Sequence, residues 1–323
     1  MLDLPPVMLM QVSDPVVLAS AVRNASLTPC QLSARPAPSL MARVACENVC
    51  LDFAALGPAM LFHGAMPEDC YTLVFVTECQ RRGRSFNFST DHNDGYMGFF
   101  PPGGNLDAYT PEGYSNASLT VPSSLFLATL QRLFPEIPEK ILSHGGGMRI
   151  GPAEQSTLRK LLSSVMEGIQ NPSQPLHGDM ERKMLEPALL DAFIMALRSG
   201  CDALVPHPGI RIERRLKRLR QAREYLADRL HEPVQLASLC KELNLSRRGV
   251  ELLFQDSMGI GPTAYIRHQR LHGVRRSLQA GPAAAGVVKK SALHWGFWHM
   301  GHFSREYRTL FGESPSQTVN RHR

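Results

Sequence analysis

No stretch of this 323-residue sequence reaches the ~20 apolar residues that a bilayer-spanning helix needs. The N-terminus, Met1 to Pro6, has an acid and two prolines where a signal peptide would carry a basic stretch and then an apolar run. Neither secretion nor membrane insertion is expected. The seven cysteines, Cys30, Cys46, Cys50, Cys70, Cys79, Cys201 and Cys240, are odd in number and scattered. That is not the framework of a small disulfide-stapled domain, and it points to a reducing cytoplasm. Cys46 and Cys50 lack a second pair, so buried or incidental thiols compete with a metal or redox reading. Gly145-Gly146-Gly147 is not followed by Gly-Lys-Ser/Thr, which excludes a phosphate-cradling loop. Aromatic residues are sparse at 7%, with two tryptophans, while 43% of residues are hydrophobic and 20% charged. This is the composition of a globular protein, not of a disordered or collagen-like one.

Domains mostly run to roughly 100–200 residues, so the chain is sized for two. The net charge of +6 conceals an asymmetry, because residues 1–210 sum to −6 and residues 211–323 to +12. An acidic body with a basic tail is expected of a module that meets nucleic acid or an anionic surface.

The segments Tyr71–Thr77, Arg84–Ser89, Tyr96–Phe100 and Ala117–Val121 are rich in β-branched and aromatic residues, separated by turn chemistry at Asn93-Asp94-Gly95 and Pro101-Pro102-Gly103-Gly104. They predict a small β-barrel or sandwich over residues 39–121, preceded by an N-terminal arm, 1–38. Helical periodicity follows over 122–200, in segments near Ser123–Leu133, Pro152–Ile169 and Asp179–Leu197. In the last, Leu185, Ala188, Leu189, Ala192 and Ala196 form one apolar stripe, which suits either a dimer face or a helix covering its own β-domain. A linker is placed at 201–210, rich in Pro and Gly, and an all-α domain at 211–323. Tyr71, Phe75, Phe86, Phe88, Tyr96 and Phe99 are candidates for an effector pocket, although strand aromatics equally make plain core.

The C-terminal domain contains one pattern twice. In Leu236–Phe254, Leu239, Cys240 and Leu243 face inward, Asn244-Leu245-Ser246 forms a turn, and Ser246 can cap the next helix. Val250, Leu253 and Phe254 then point inward, leaving Arg247, Arg248 and Glu251 outward, as on a recognition helix entering a major groove. In Ala292–Phe311, Gly296 suits the turn and Phe297, Phe303, Tyr307, Leu310 and Phe311 form the buried side, leaving Met300, Gly301, Ser304, Arg305 and Arg308 outward. Arg305 can bond guanine O6 and N7. Lys289, Lys290, His302 and Arg308 suit phosphate contacts, which position without reading sequence. Between the copies, Thr263–Leu278 forms a strut of about 24 Å at ~1.5 Å per residue, with Arg267, Arg270, Arg275 and Arg276 largely off its apolar face. The histidines His294, His299 and His302 spread around the helix and suggest no metal site. Trp295 and Trp298 read as packing residues at a turn.

The order of helix-turn-helix, Gly259-x-x-Pro262-x-x-Tyr265-Ile266-x-x-x-Arg270-Leu271, second helix-turn-helix and closing Phe311-Gly-Glu-Ser-Pro-Ser316 resembles the AraC/XylS family of bacterial transcriptional regulators, over about 100 residues. The stretch Trp295–Gly301 is similar to the branch containing ethanolamine-utilisation regulators. The resemblance implies an α+β two-domain protein. Its N-terminal domain would be a cupin-like β-barrel or sandwich with trailing helices, binding a small-molecule effector or dimerising. Its C-terminal domain would bind double-stranded promoter DNA as an activator, reading two adjacent major grooves per chain, with RNA polymerase and a second copy as further partners. The base-contacting positions carried over are Arg248, Glu251, Leu252, Met300, Gly301, Ser304 and Arg305. Leu252 and Gly301 depart from polar readers, Gln235 and Val287 stand where a Ser or Thr cap is frequent, and Gly249 costs about 1 kcal/mol inside a helix. A metal-dependent cupin enzyme would need a His-x-His with a downstream Glu and a later His, whereas His63 and Glu68 stand alone. No cofactor, metal or catalytic residue is therefore expected. The alternative is a DNA-directed enzyme, such as an alkyl-transfer repair protein with a nucleophilic Cys and a family-like tail; none of the cysteines has a convincing set of neighbours that would activate it.

Overall fold

The structure, a computed structural model, describes residues 5–33, 38–79, 83–85, 90–92, 94–137, 139–171, 176, 178–201, 210–232, 235–281, 284 and 286–321. The chain divides into two compact units, one of Met1–Pro29 with Ala37–His207 and one of Cys30–Pro36 with Pro208–Arg323. Residues 202–209 of the expected linker, and Phe86 and Phe88 of the expected pocket, lie outside the described residues.

The first unit holds strands β1 (Val7–Val12), β2 (Ser26–Gln31), β3 (Ser39–Ala45), β4 (Cys50–Leu56), β5 (Met60–Ala65), β6 (Cys70–Glu78), β7 (Gly83–Ser85), β8 (Thr90–His92), β9 (Tyr96–Phe100), β10 (Asn105–Thr110), β11 (Tyr114–Pro122) and β12 (Gly146–Arg149), the last two residues of β2 being counted with the second unit. Its helices are α1 (Ser123–Leu133), α2 (Glu139–His144), α3 (Pro152–Gln170) and α4 (Asp179–Cys201). Seven strands form one sheet in the order β1-β3-β4-β11-β6-β9-β12, and five form another in the order β2-β5-β10-β7-β8. Within the expected N-terminal arm, 1–38, two strands join the sheets: β1 pairs antiparallel with β3, and β2 lies beside β5.

Successive side chains of a strand point to opposite faces, and the seven-stranded sheet buries both. On one face Val44, Leu51, Phe53, Leu73, Phe75, Met97, Phe99 and Leu119 pack with α1, α3 and α4 through Phe126, Leu158, Leu162, Leu189 and Phe193. On the other, Met41, Leu56, Val76, Tyr96, Phe100 and Tyr114 meet Leu27, Met60 and Phe62 of the second sheet. This places the expected pocket aromatics in different layers. Tyr71 and Phe99 stack with Phe126 of α1, at 4.4 and 5.6 Å between centroids, and Phe75 is buried in the same helix-facing core. Tyr96 looks the other way, into a cavity of about 70 Å³ between the sheets that Phe62, Phe100, Tyr114, Asn116 and Ser118 also line.

The stripe on α4 mostly covers its own domain, since Leu189 and Ala196 are fully buried and Leu185 and Ala192 pack against the same core. The large apolar residues that α4 leaves exposed are Met180, Met184 and Met195. Two polar anchors sit inside this unit. Arg43 donates to Asp52 at 2.5 Å, both buried, and Asp52 also accepts the Arg23 amide at 2.9 Å. Glu186 accepts from the Asn48 side chain at 2.8 Å and from the amides of Asn48 and Val49. Among the described residues, no helix is long and apolar enough to cross a membrane.

The second unit holds α5 (Ile210–Ala227), α6 (Leu236–Leu243), α7 (Arg247–Met258), α8 (Pro262–Ala280), α9 (Val287–His294), α10 (Met300–Phe311) and α11 (Pro315–Arg321). One helix, α8, serves two small cores. Near its start Tyr265 meets Phe254 of α7 edge to face at 5.3 Å. Further along, Leu271, Val274 and Leu278 pack with Ala292, Phe303, Tyr307 and Phe311.

His272 of α8 is 3% exposed, with Nε2 3.1 Å from the Gln31 carbonyl oxygen of the same unit and its ring edge-on to Phe311. Burial pushes its imidazolium down to about 3. An unfolded histidine titrates near 6.5, so between about pH 6.5 and 3 the unfolded chain binds the extra proton, and stability is lost as pH falls. Below about pH 6 the unit is expected to weaken by about 1 kcal/mol per pH unit. Both tryptophans, Trp295 and Trp298, lie here, so denaturant titrations followed by their fluorescence report on this unit. A His272→Gln chain with the same pH slope as the wild type would contradict the assignment.

Candidate nucleic-acid interface

Each helix-turn-helix is built from a few local signals. In the first, Asn244 closes α6 in the left-handed region at φ 48°, which asparagine tolerates better than most residues. Ser246 then caps α7, its hydroxyl accepting the Gly249 amide at 3.1 Å. Gln235 makes no side-chain cap on α6. In the second, Gly296 takes φ +80° at the turn, and α10 starts after His299 without a side-chain cap.

The motifs around these units have physical reasons. Gly259 ends α7 in the left-handed region and Pro262 opens α8, where its missing N–H costs nothing. Gly312 closes α10 in the same way as Gly259 closes α7. Ser314 and Gln317 exchange hydrogen bonds, the Ser314 amide donating to Gln317 Oε1 at 2.7 Å and the Gln317 amide to Ser314 Oγ at 3.3 Å, a reciprocal cap on α11. Trp295 lies flat over Gly273 of α8. A Cβ at Gly273 would stand 2.5 Å from the indole ring, and the indole N–H donates to Ser277 Oγ at 3.1 Å.

The outward face of α7 carries Arg247, Arg248 and Leu252, all exposed, while Val250, Leu253 and Phe254 are buried behind them. Glu251 is half-buried and leans toward α8, with a carboxylate oxygen 2.9 Å from where a Gly261 side chain would begin. On α10, Gly301, His302, Ser304, Arg305 and Arg308 are exposed and Met300 is half-buried, opposite buried Phe303, Tyr307 and Leu310. Lys289 and Lys290 are exposed on α9.

The strut differs from the expectation. Arg275 is not a free cation: it is 2% exposed and paired with buried Glu313 at 2.8 Å. Arg267 pairs with Glu306 of α10 at 2.5 Å, and Arg270 donates to the Leu230 and Glu232 carbonyls. These three arginines hold the unit together, whereas Arg276 is exposed. Trp298 also departs from its expected packing role, standing 71% exposed next to His299 at the second turn. A tryptophan one residue from a buried phenylalanine gives no sequence signal that separates the two roles.

Gly249 has room for a methyl group, which would sit 3.4–3.5 Å from Ser246 Oγ and Leu245, ordinary contact distances. Gly249→Ala is therefore expected to raise stability by about 0.5–1 kcal/mol. A lowered fluorescence midpoint in urea would contradict this.

Two short helix pairs, each with an exposed second helix and joined by one long helix, define a double helix-turn-helix domain. A helix-turn-helix domain model matches residues 239–321. The XylDLEGF operon transcriptional activator 3 of Pseudomonas putida is 35% identical over 98 residues, 30% of each chain. The chain thus spans about 30% of the length of that curated relative. A solved structure of a probable AraC family transcriptional regulator from Rhodopseudomonas palustris is 36% identical over 33% of this chain and 98% of its own, with a TM-score of 0.31. The AraC-like transcriptional activator CuxR aligns over 90% of this chain and 99% of its own at 14% identity, with a TM-score of 0.43. In this C-terminal domain the chain is similar to regulators of the AraC/XylS family.

Proposed function

We propose that this protein is a transcriptional activator that places α7 and α10 in two successive major grooves of promoter DNA. The observation that carries the reading is the paired exposed faces, Arg247, Arg248 and Leu252 on one helix and Ser304, Arg305 and Arg308 on the other. Nineteen residues of α8 span about 28 Å at ~1.5 Å each, near the ~34 Å between groove entries one turn apart. Arg248, Arg305 and Ser304 read bases on this reading, and Lys289, Lys290, His302 and Arg308 hold phosphates. Relatives named as operon activators support the direction of regulation.

The N-terminal unit, read as a cupin-like domain, regulates the tail. Its effector site is the cavity beside Tyr96; at about 70 Å³ it is smaller than the ~150 Å³ that admits benzene, so an effector enters by parting the sheets. A second copy packs on the exposed methionines of α4, and RNA polymerase is the remaining partner. An alkyl-transfer enzyme is not favoured. Burial pushes Cys30, Cys46 and Cys50 up to about 12 and Cys70 to about 11, the opposite of an activated thiol.

Selection of bound duplexes from a random pool with the full chain tests the reading. Two recurring sequence blocks about one helical turn apart are expected; enrichment of no sequence would refute it.

A further inference from the structure

The first recognition helix carries an apolar residue where hydrogen-bonding readers are expected. Leu252 is 50% exposed and, with Trp298 of the second turn, is one of the two large exposed hydrophobics among the described residues of the second unit. It is not part of a core: Leu253 and Phe254, its neighbours in sequence, are buried on the opposite side. Leu252 follows Arg248 by four residues, so both lie on one stripe of α7, and a helical side chain leans toward the preceding turn. The adjacent acid does not compete for this place, because Glu251 is turned toward Gly261. In the major groove, the one apolar group on a base edge is the C5-methyl of thymine, while arginine matches guanine O6 and N7.

Resting on the DNA-reading function above, we propose that Leu252 reads the C5-methyl of a thymine adjacent to the base that Arg248 contacts, so that the first half-site contains a guanine and a thymine side by side. The pair divides the labour. Arg248 supplies directional hydrogen bonds, and Leu252 supplies contact with a methyl group that no other base presents.

To test this, each thymine of the selected first half-site is replaced in turn by deoxyuridine, which removes the methyl group and nothing else. For the wild-type chain, one replacement is expected to weaken binding about three- to five-fold, the worth of one buried methyl. The Leu252→Ala chain, whose substitution is at an exposed position and leaves the fluorescence midpoint in place, is expected to bind thymine and deoxyuridine at that position equally. Sensitivity to that methyl that persists in Leu252→Ala would overturn the proposal, as would a first half-site in which no thymine methyl matters. A chain that prefers no sequence over scrambled DNA would overturn the underlying reading as well, and that outcome is distinct because it emerges before any base is modified.

Discussion

Glu313→Ala is expected to destabilise the C-terminal unit by about 3–5 kcal/mol, because it leaves a buried guanidinium without its counter-charge. Arg275 and Glu313 are 2% and 4% exposed and meet at 2.8 Å. The same carboxylate receives Arg321 at 2.7 Å and the Thr318 hydroxyl at 2.7 Å, and Thr318 is bonded in turn to Tyr307 at 2.8 Å. The Arg275 guanidinium lies over the Phe311 ring, 4.7 Å from its centroid. One carboxylate therefore ties α8, α10 and α11 together, and the Glu in the closing Phe-Gly-Glu-Ser-Pro-Ser stretch is structural. Replacing both partners, Arg275→Met with Glu313→Leu, is expected to cost less than Glu313→Ala alone, since no charge is then stranded. Urea titrations followed by tryptophan fluorescence measure both. A cost below about 1 kcal/mol for Glu313→Ala would mean that the pair does not tie these helices.

Arg305→Ala is the second large effect. It is expected to cost about 1–3 kcal/mol on the selected site and to relax preference at one base pair. Arg308→Ala, about one turn along on the exposed face, is expected instead to weaken all sequences alike and to reduce the slope of log affinity against log salt by about 1. If Arg305→Ala behaves like Arg308→Ala, its contact is with phosphate.

The helix-turn-helix units are legible in the sequence because their signals are local. Ser246 beside the arginines of α7, Gly296 at a turn and Pro262 opening α8 each act within a few residues, and each occupies the position its chemistry suits. Arg275 is not legible, because its partner Glu313 lies far along the chain and an arginine on a mostly basic helix reads as solvent-facing. The β-domain is harder for a different reason. Its central sheet is buried on both faces, so Tyr-Met-Gly-Phe-Phe at Tyr96–Phe100 is fully buried along its length and the alternation that marks a solvent face disappears. For that reason Tyr96 and Phe99 read as one pocket, although they face opposite layers. The strands β1 and β2 escape sequence reading because Val7–Val12 and Ser26–Gln31 lack the flanking glycine punctuation of the later hairpins.

On the proposed function, α7 and α10 together read sequence. The most direct measurement of this is the affinity of the full chain for the selected two-block site against a scrambled duplex of equal length and composition, at one physiological salt concentration. A preference of roughly 10³-fold or more is expected, falling when either Arg248 or Arg305 becomes alanine. Equal affinity for the two duplexes would contradict it.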